Sequence, residues 1–464
     1  MESMLRGLLA LIVCAAALAA AVFVAAGRGA PPTLVIEKPD RAVGQDGTLE
    51  VIAGAPGARF AELTIAVEQD GRTMPLFSLA APQTASLAQG DADHLRISRR
   101  LGKQSVPDLQ AGAARIVVTA SRTSFLRTLS SRAAKDIQVR LEPPRVAVAS
   151  THHYVNHGGS EVVLYRVAPA DAASGVRVGE LEYTGYPAAG AGVAGADPAL
   201  RIAWFALLHD QDLSTPIAIF ARDEAGNEAT VPFVDGVFRR PFRRSRIALD
   251  DRFFERVVPE ILEHSPELRM ERPSGDLLPA FLRINGELRR MNAETIASLA
   301  AATAPARLWQ GPFVQLGSSR VEASFADHRT YIYAGKEVDQ QVHLGFDLAV
   351  TAAVPVVAAN AGTVLRADWL GIYGNCVIVD HGLGVASLYG HLSSVDVRAG
   401  DAVTKGQRLG RSGLTGLAGG DHLHYTVLLQ GRPVNPVEWW DAHWIEDRVE
   451  RKLRAFTVES AGTH

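Results

Sequence analysis

His422-Leu423-His424, read together with His343-Leu344-Gly345-Phe346-Asp347 and Tyr389-Gly390-His391, decides how this 464-residue chain is to be understood. Side chains two apart on a β-strand point to one face, with Cα atoms about 6.6 Å apart, so His422 and His424 can line one cavity. One can bind a metal while the other works beside it. Two imidazoles and a carboxylate make a three-ligand set suited to Zn²⁺, with a fourth position left for water, as in catalytic zinc centres. His343 and Asp347 would stand about 13 Å apart in a straight strand, so the chain must bend between them, and Gly345 is read as the residue that lets it.

Zinc lowers the pKa of a bound water to about 7 and polarises a carbonyl oxygen, so an amide can be attacked near neutral pH. The sequence holds no His-Glu-x-x-His helix, so the glutamate base of that motif is missing. A histidine, with an ordinary pKa of about 6.5, is the natural replacement. The same donor set also suits the non-haem iron of an oxygenase.

Further segments fall around these residues: Leu388-Tyr389-Gly390-His391-Leu392, Val403-Thr404-Lys405-Gly406-Gln407-Arg408-Leu409-Gly410, Thr415-Gly416-Leu417-Ala418-Gly419-Gly420-Asp421-His422-Leu423-His424 and Val434-Asn435-Pro436. Together they resemble the lysostaphin and LytM-type zinc metalloendopeptidases that cut peptidoglycan cross-links, over about residues 310–440. The resemblance implies His343, Asp347 and His424 as zinc ligands, and His391 and His422 as the catalytic pair. It implies a β-rich catalytic fold with the metal in an open groove, and a peptidoglycan peptide as substrate. Asp421 stands where many members carry proline, which removes no functional group. Some relatives have lost ligands and only activate other cell-wall hydrolases; this chain keeps all five residues. Of the other histidines, His152, His153 and His157 lie in a loop-like stretch, and His381 is read as a turn residue before Gly382.

Composition, with 47% apolar and 21% charged residues, is that of a folded protein, and a net charge of −3 argues against nucleic acid as the main partner. The two cysteines, Cys14 and Cys376, make no disulfide framework. Gly7 to Gly27 is an uncharged, apolar run flanked by Arg6 and Arg28. It is long enough to span a bilayer, and Val24-Ala25-Ala26 also satisfies a signal-peptide cleavage site. Either reading places the rest outside the cytoplasm, anchored to the inner membrane and facing the periplasm, or secreted after cleavage. Other cell-envelope proteins are then accessible partners.

The expected organisation is mostly β. After the membrane or signal segment 1–30 come two tandem Ig-like β-sandwich domains, 31–142 and 143–236, built from short β-branched runs separated by turn residues. Pro31-Pro32 recurs as Pro143-Pro144, and Gly47-Thr48-Leu49-Glu50-Val51 as Gly159-Ser160-Glu161-Val162-Val163, both at an offset of 112 residues. Gly185 to Ala199 is read as a loop, and Asp223 to Glu228 as the turn of a hairpin. Residues 237–307 read as a helical connector. It opens with an arginine-rich, solvated run at 239–246 and continues with helical spacing from Leu249 to Leu262, which Pro259 should kink or split. The connector either packs on its neighbours or covers the catalytic groove. The zinc endopeptidase domain follows at 308–440, and a helix with a polar tail at 441–464. All five chemical residues lie within 308–445, so that segment is expected to fold and act alone.

Overall fold

The computed structural model describes residues 2–26, 30–55, 59–81, 86–89, 94–124, 127–271, 273 and 275–461. The chain is mostly β and divides into two compact units. The first comprises Met1–Pro144, Asp171–Ala173 and Arg222–Ala229, and the second holds the remainder.

Glu2–Ala26 is an α-helix. Its described side chains, Gly7 and Leu9 to Val24, are exposed. Counted over described residues, no helix is long and apolar enough to cross a membrane. The first unit also holds a four-stranded sheet ordered Thr33–Lys38, Thr48–Gly54, His94–Arg100, Ser86–Gln89, and a five-stranded one built on Phe60–Gln69, Gly112–Ser124 and Arg127–Val139. Alternate residues of a strand face opposite sides, and the inward sets from both sheets, among them Val51, Ile65, Ile97, Ile116 and Ile137, form one core.

In the second unit the strands Arg145–Val148, Ser160–Ala168, Leu200–Ala206 and Tyr186–Pro187 form a sheet in that order. Arg145 follows Thr33 by 112 positions and Ser160 follows Thr48 by 112, and each pair of strands is antiparallel neighbours. The short sequence echo thus coincides with a repeated strand pair. The segment read as a loop, Gly185 to Ala199, contains the strand Tyr186–Pro187 and a 3₁₀ turn, Ala188–Ala191. The expected hairpin turn is present: the Asp223 carboxylate accepts from the backbone N–H groups of Ala225 and Asn227, both at 2.9 Å.

The largest sheet is antiparallel and runs Arg320–Ala323, Phe346–Ala349, Leu423–Leu429, Val385–Leu392, Asn375–Gly382, Gly362–Trp369, Ala402–Val403, with Arg432–Val434 beside Leu423–Leu429. Its central strands are buried almost throughout, as strands covered on both faces must be. His381 lies inside Asn375–Gly382 rather than in the following turn, fully buried, with Nδ1 on the Ala361 carbonyl and Nε2 on Ser387 Oγ, both at 2.7 Å.

The connector differs from the expectation at two points. Arg244–Leu249 is a strand, parallel to Asp327–Tyr333, whose alternation turns Arg244 and Arg246 outward and Leu249 inward. The helix Asp251–His264, capped by Asp250, runs on through Pro259. An interior proline costs about 3 kcal/mol, but Phe254, Val257, Val258 and Ile261 are all buried against Phe281, Ile284 and Tyr331. That burial outweighs the loss. A second helical stretch spans Leu278–Arg283 and Arg289–Leu299, joined by a wider π turn at Ile284–Leu288. At the C-terminus the short helices Pro436–Trp440 and Ala442–Trp444 precede a π turn and the helix Arg451–Ala461.

Candidate metal centre

Sheet register brings the five residues together. Asp347 stands directly opposite His424 on the neighbouring strand, and Gly390 opposite His424 on the other side. Directly opposed residues share a face, so the carboxylate and the imidazole meet. His343 ends the strand Lys336–His343 of a different sheet, and the chain changes sheets before Phe346. This supplies the required bend. Gly345 serves another purpose: a Cβ there would lie 2.6 Å from the His424 ring and from Thr426 Oγ. The glycine is required by space.

His391 is delivered by a bulge. Asn375 pairs with Leu392 and Val377 with Tyr389, so Gly390-His391 oppose the single residue Cys376. His391 has φ of 63°, a left-handed conformation that is costly for a residue with a Cβ. Bulges re-aim side chains next to active sites, and here the ring comes to 4.8 Å from that of His422 and 5.7 Å from that of His424.

The proton positions follow from the partners. His343 Nδ1 lies 3.2 Å from the Ser324 carbonyl, which can only accept, so Nδ1 carries the hydrogen. Thr426 Oγ donates to the Leu344 carbonyl at 2.9 Å and therefore accepts from His424 Nε2 at 3.0 Å. What remains is a triangle of lone-pair atoms: His343 Nε2 to Asp347 Oδ1 at 2.9 Å, His343 Nε2 to His424 Nδ1 at 3.0 Å, and His424 Nδ1 to Asp347 Oδ1 at 3.0 Å. No proton is left between the two nitrogens. Donors around a tetrahedral zinc with bonds of about 2.0–2.1 Å stand about 3.3 Å apart, so the triangle fits such an ion.

Charge agrees with that reading. Burial lowers the pKa of His424 to about 4. Burial would raise Asp347, but the charge and hydrogen bonds of His343, with those of His422 and His424, hold it well below the usual carboxylate range. A neutral imidazole and an ionised carboxylate are the forms that bind metal. His391 and His422 are each fixed through Nδ1, at 2.8 Å from the carbonyls of Thr415 and of Gly420, so Nδ1 carries the hydrogen in both. His422 Nε2 is 3.4 Å from Asp347 Oδ1.

Three supporting groups carry no sequence motif. Arg329 Nη2 donates to Asp347 Oδ2 at 2.8 Å, leaving Oδ1 for the triangle. Thr426 sets the His424 tautomer. The connector helix braces the loop that orients His391: Arg256 donates to the carbonyls of Leu414 and Ala418, and the Glu260 carboxylate accepts from Gly416 N at 3.3 Å. Asp421 ties the same loop by accepting from Ser412 Oγ at 2.6 Å and Ala353 N at 3.1 Å. The expected open groove is a cavity of about 170 Å³, because Arg289, Ala293 and Ile296 of the connector form one wall. All five chemical residues are less than 9% exposed.

A model described as peptidase family M23 matches residues 341–436. The peptidoglycan DD-endopeptidase ShyA of Vibrio cholerae serotype O1 is 40% identical over 96 residues, 21% of this chain and 22% of that protein. The murein hydrolase activator EnvC of Escherichia coli K12 is 38% identical over 95 residues, 20% of this chain and 23% of that protein. The matched stretch thus spans less than a quarter of either relative. Among solved structures, the catalytic domain of lysostaphin from Staphylococcus simulans aligns at 22% identity with a TM-score of 0.21, over 31% of this chain and 96% of that one.

Proposed function

Residues 341–436 are a peptidase family M23 domain, and on that premise we propose that the chain is an exported zinc metalloendopeptidase hydrolysing peptide cross-links of bacterial peptidoglycan. The observation that carries the proposal is the proton-free triangle of His343 Nε2, Asp347 Oδ1 and His424 Nδ1 with two further histidines beside it. Zinc held by those three atoms would acidify a water and polarise the scissile carbonyl. Arg329 holds Asp347 in register for this, and Thr426 and the Ser324 carbonyl hold the two imidazoles. His391 and His422, with Nδ1 fixed on carbonyls, keep Nε2 for taking the attacking water's proton and for hydrogen bonding to the tetrahedral oxyanion. Apolar walls at Ile296, Ile372 and Leu417 limit water around them.

The peptidoglycan substrate is supported by the name of the Vibrio relative. Residues 1–30 are read as a membrane or signal segment, and the two β domains, read as Ig-like, as spacers with the connector. A second reading, a silent activator of another hydrolase, is favoured by the likeness to EnvC, but pure binding has no use for the bulged, strained His391. Metal analysis of the purified chain separates the readings. About one zinc per chain with peptide hydrolysis supports the peptidase. Bound iron supports an oxygenase, and no metal supports the activator.

A further inference from the structure

Among the described residues, Arg289 is the cation of the cavity with no carboxylate of its own. It follows the π turn Ile284–Leu288, a feature that re-aims the residues after it and is frequent at functional sites. Its Nε donates to the Asn285 carbonyl at 3.0 Å and its Nη2 to Asn285 Oδ1 at 2.6 Å. Asn285 is fully buried and donates in turn to Asp339 Oδ2 at 2.7 Å. The guanidinium is therefore held in one orientation by neutral oxygen atoms, and its charge has no carboxylate partner among the described residues. Arg329, the other guanidinium of the cavity, is already paired with Asp347. The cavity, at about 170 Å³, falls below the range of about 300–1,000 Å³ that takes drug-sized ligands. Away from the five metal-centre residues, Arg329 and the tyrosines, its walls are apolar, among them Ala293, Ile296 and Leu417. A small apolar residue bearing a carboxylate matches this space in size, polarity and charge.

The geometry points to Arg289 as a specificity-determining residue that receives a free carboxylate on a small apolar residue flanking the scissile peptide bond. This rests on the peptidase reading and narrows its substrate to peptides carrying such an anion. Two synthetic peptides ending in alanine, one a free acid and one a carboxamide, test it by calorimetric binding to the metal-free full chain and by cleavage with the zinc-loaded chain. The free acid should bind roughly 10- to 100-fold more tightly, the range for a hydrogen bond to a charged group. Arg289→Gln should bring the ratio to about one, and Arg289→Lys should retain part of it. The metal-free arm excludes a preference that comes from zinc. Equal binding of both peptides by the unaltered chain, or an unchanged ratio in folded Arg289→Gln, would overturn the assignment. If neither peptide is cut but the binding preference depends on Arg289, the assignment stands and the peptidase reading fails. If both are cut and bound equally, the reverse holds.

Discussion

His422, bridged to Gly413 just before the strand Leu423–Leu429, and His424, on that strand, stand two apart, and the proposed function gives them different tasks. His424→Ala removes a corner of the donor triangle, so zinc content and turnover should fall together. His422→Ala leaves the triangle intact, so zinc should remain while turnover drops roughly 10²- to 10⁴-fold, the range for a lost proton handler or oxyanion donor. Metal analysis beside initial rates reads both, and loss of zinc from both variants would mean that the pair is misassigned. Arg329→Met removes the group that holds Asp347 Oδ2; zinc affinity should weaken roughly 10- to 100-fold, as for other outer partners of metal ligands. Competition with a chelator measures it, and unchanged affinity would show that Asp347 is positioned without Arg329. The convergence of the five residues was legible in the sequence because recurrent motifs mark them. Arg329 and Thr426 were not, since each acts through one contact fixed by the fold. Gly345 was noticed for the wrong reason: the neighbour that excludes a Cβ, His424, lies 79 positions away.

Among elements, the connector was legible as helices, but its strand and its bracing contacts were not. The arginine run hid Arg244–Leu249, because in a strand whose outward positions are charged the apolar signal shrinks to Ile247 and Leu249. Deleting Arg239–Pro305 would strip a parallel neighbour from Asp327–Tyr333 and uncover Tyr331 and Ile372. Such a deletion should abolish cooperative unfolding rather than raise activity, as circular dichroism melts would show; a folded, hyperactive product would mark the connector as a removable cover. Arg256→Ala is the gentler change. It frees the carbonyls of Leu414 and Ala418, so the Thr415 acceptor between them that orients His391 should wander. Turnover should fall roughly 10- to 100-fold by misplacement of a catalytic group, with zinc content unchanged. Normal turnover would make the brace dispensable.

At the scale of the whole molecule, the catalytic segment is not closed on itself. Trp204 of the second β region packs with Trp309 and Trp439, all fully buried, with ring centroids 5.5–5.8 Å apart, pairs worth about 0.5–1.5 kcal/mol each beyond their area. Residues 308–445 alone would lose both Trp204 and the Arg244–Leu249 strand, which the motif-based reading of an independent module could not foresee. Glu438 joins the same regions: its carboxylate accepts from Asn156 Nδ2 at 2.7 Å and Ser160 N at 2.6 Å. Burial pushes its pKa up from 4.5 to about 7. A raised folded pKa contributes stability that is fully present below pH 4.5 and is lost as pH rises to about 7. Between those limits the unaltered chain should lose about 3 kcal/mol relative to Glu438→Gln. Denaturant melts across that pH range measure the difference, and parallel curves would contradict it.

The central claim, a metal-dependent peptidase acting on the cell wall, is tested most directly by digesting purified peptidoglycan sacculi with the zinc-loaded chain and reading the released muropeptides by mass spectrometry. The account predicts fragments cut within the peptide cross-links, abolished by a chelator and restored by added zinc. Intact cross-links after exposure to zinc-loaded protein, or cleavage that survives metal removal, would contradict it.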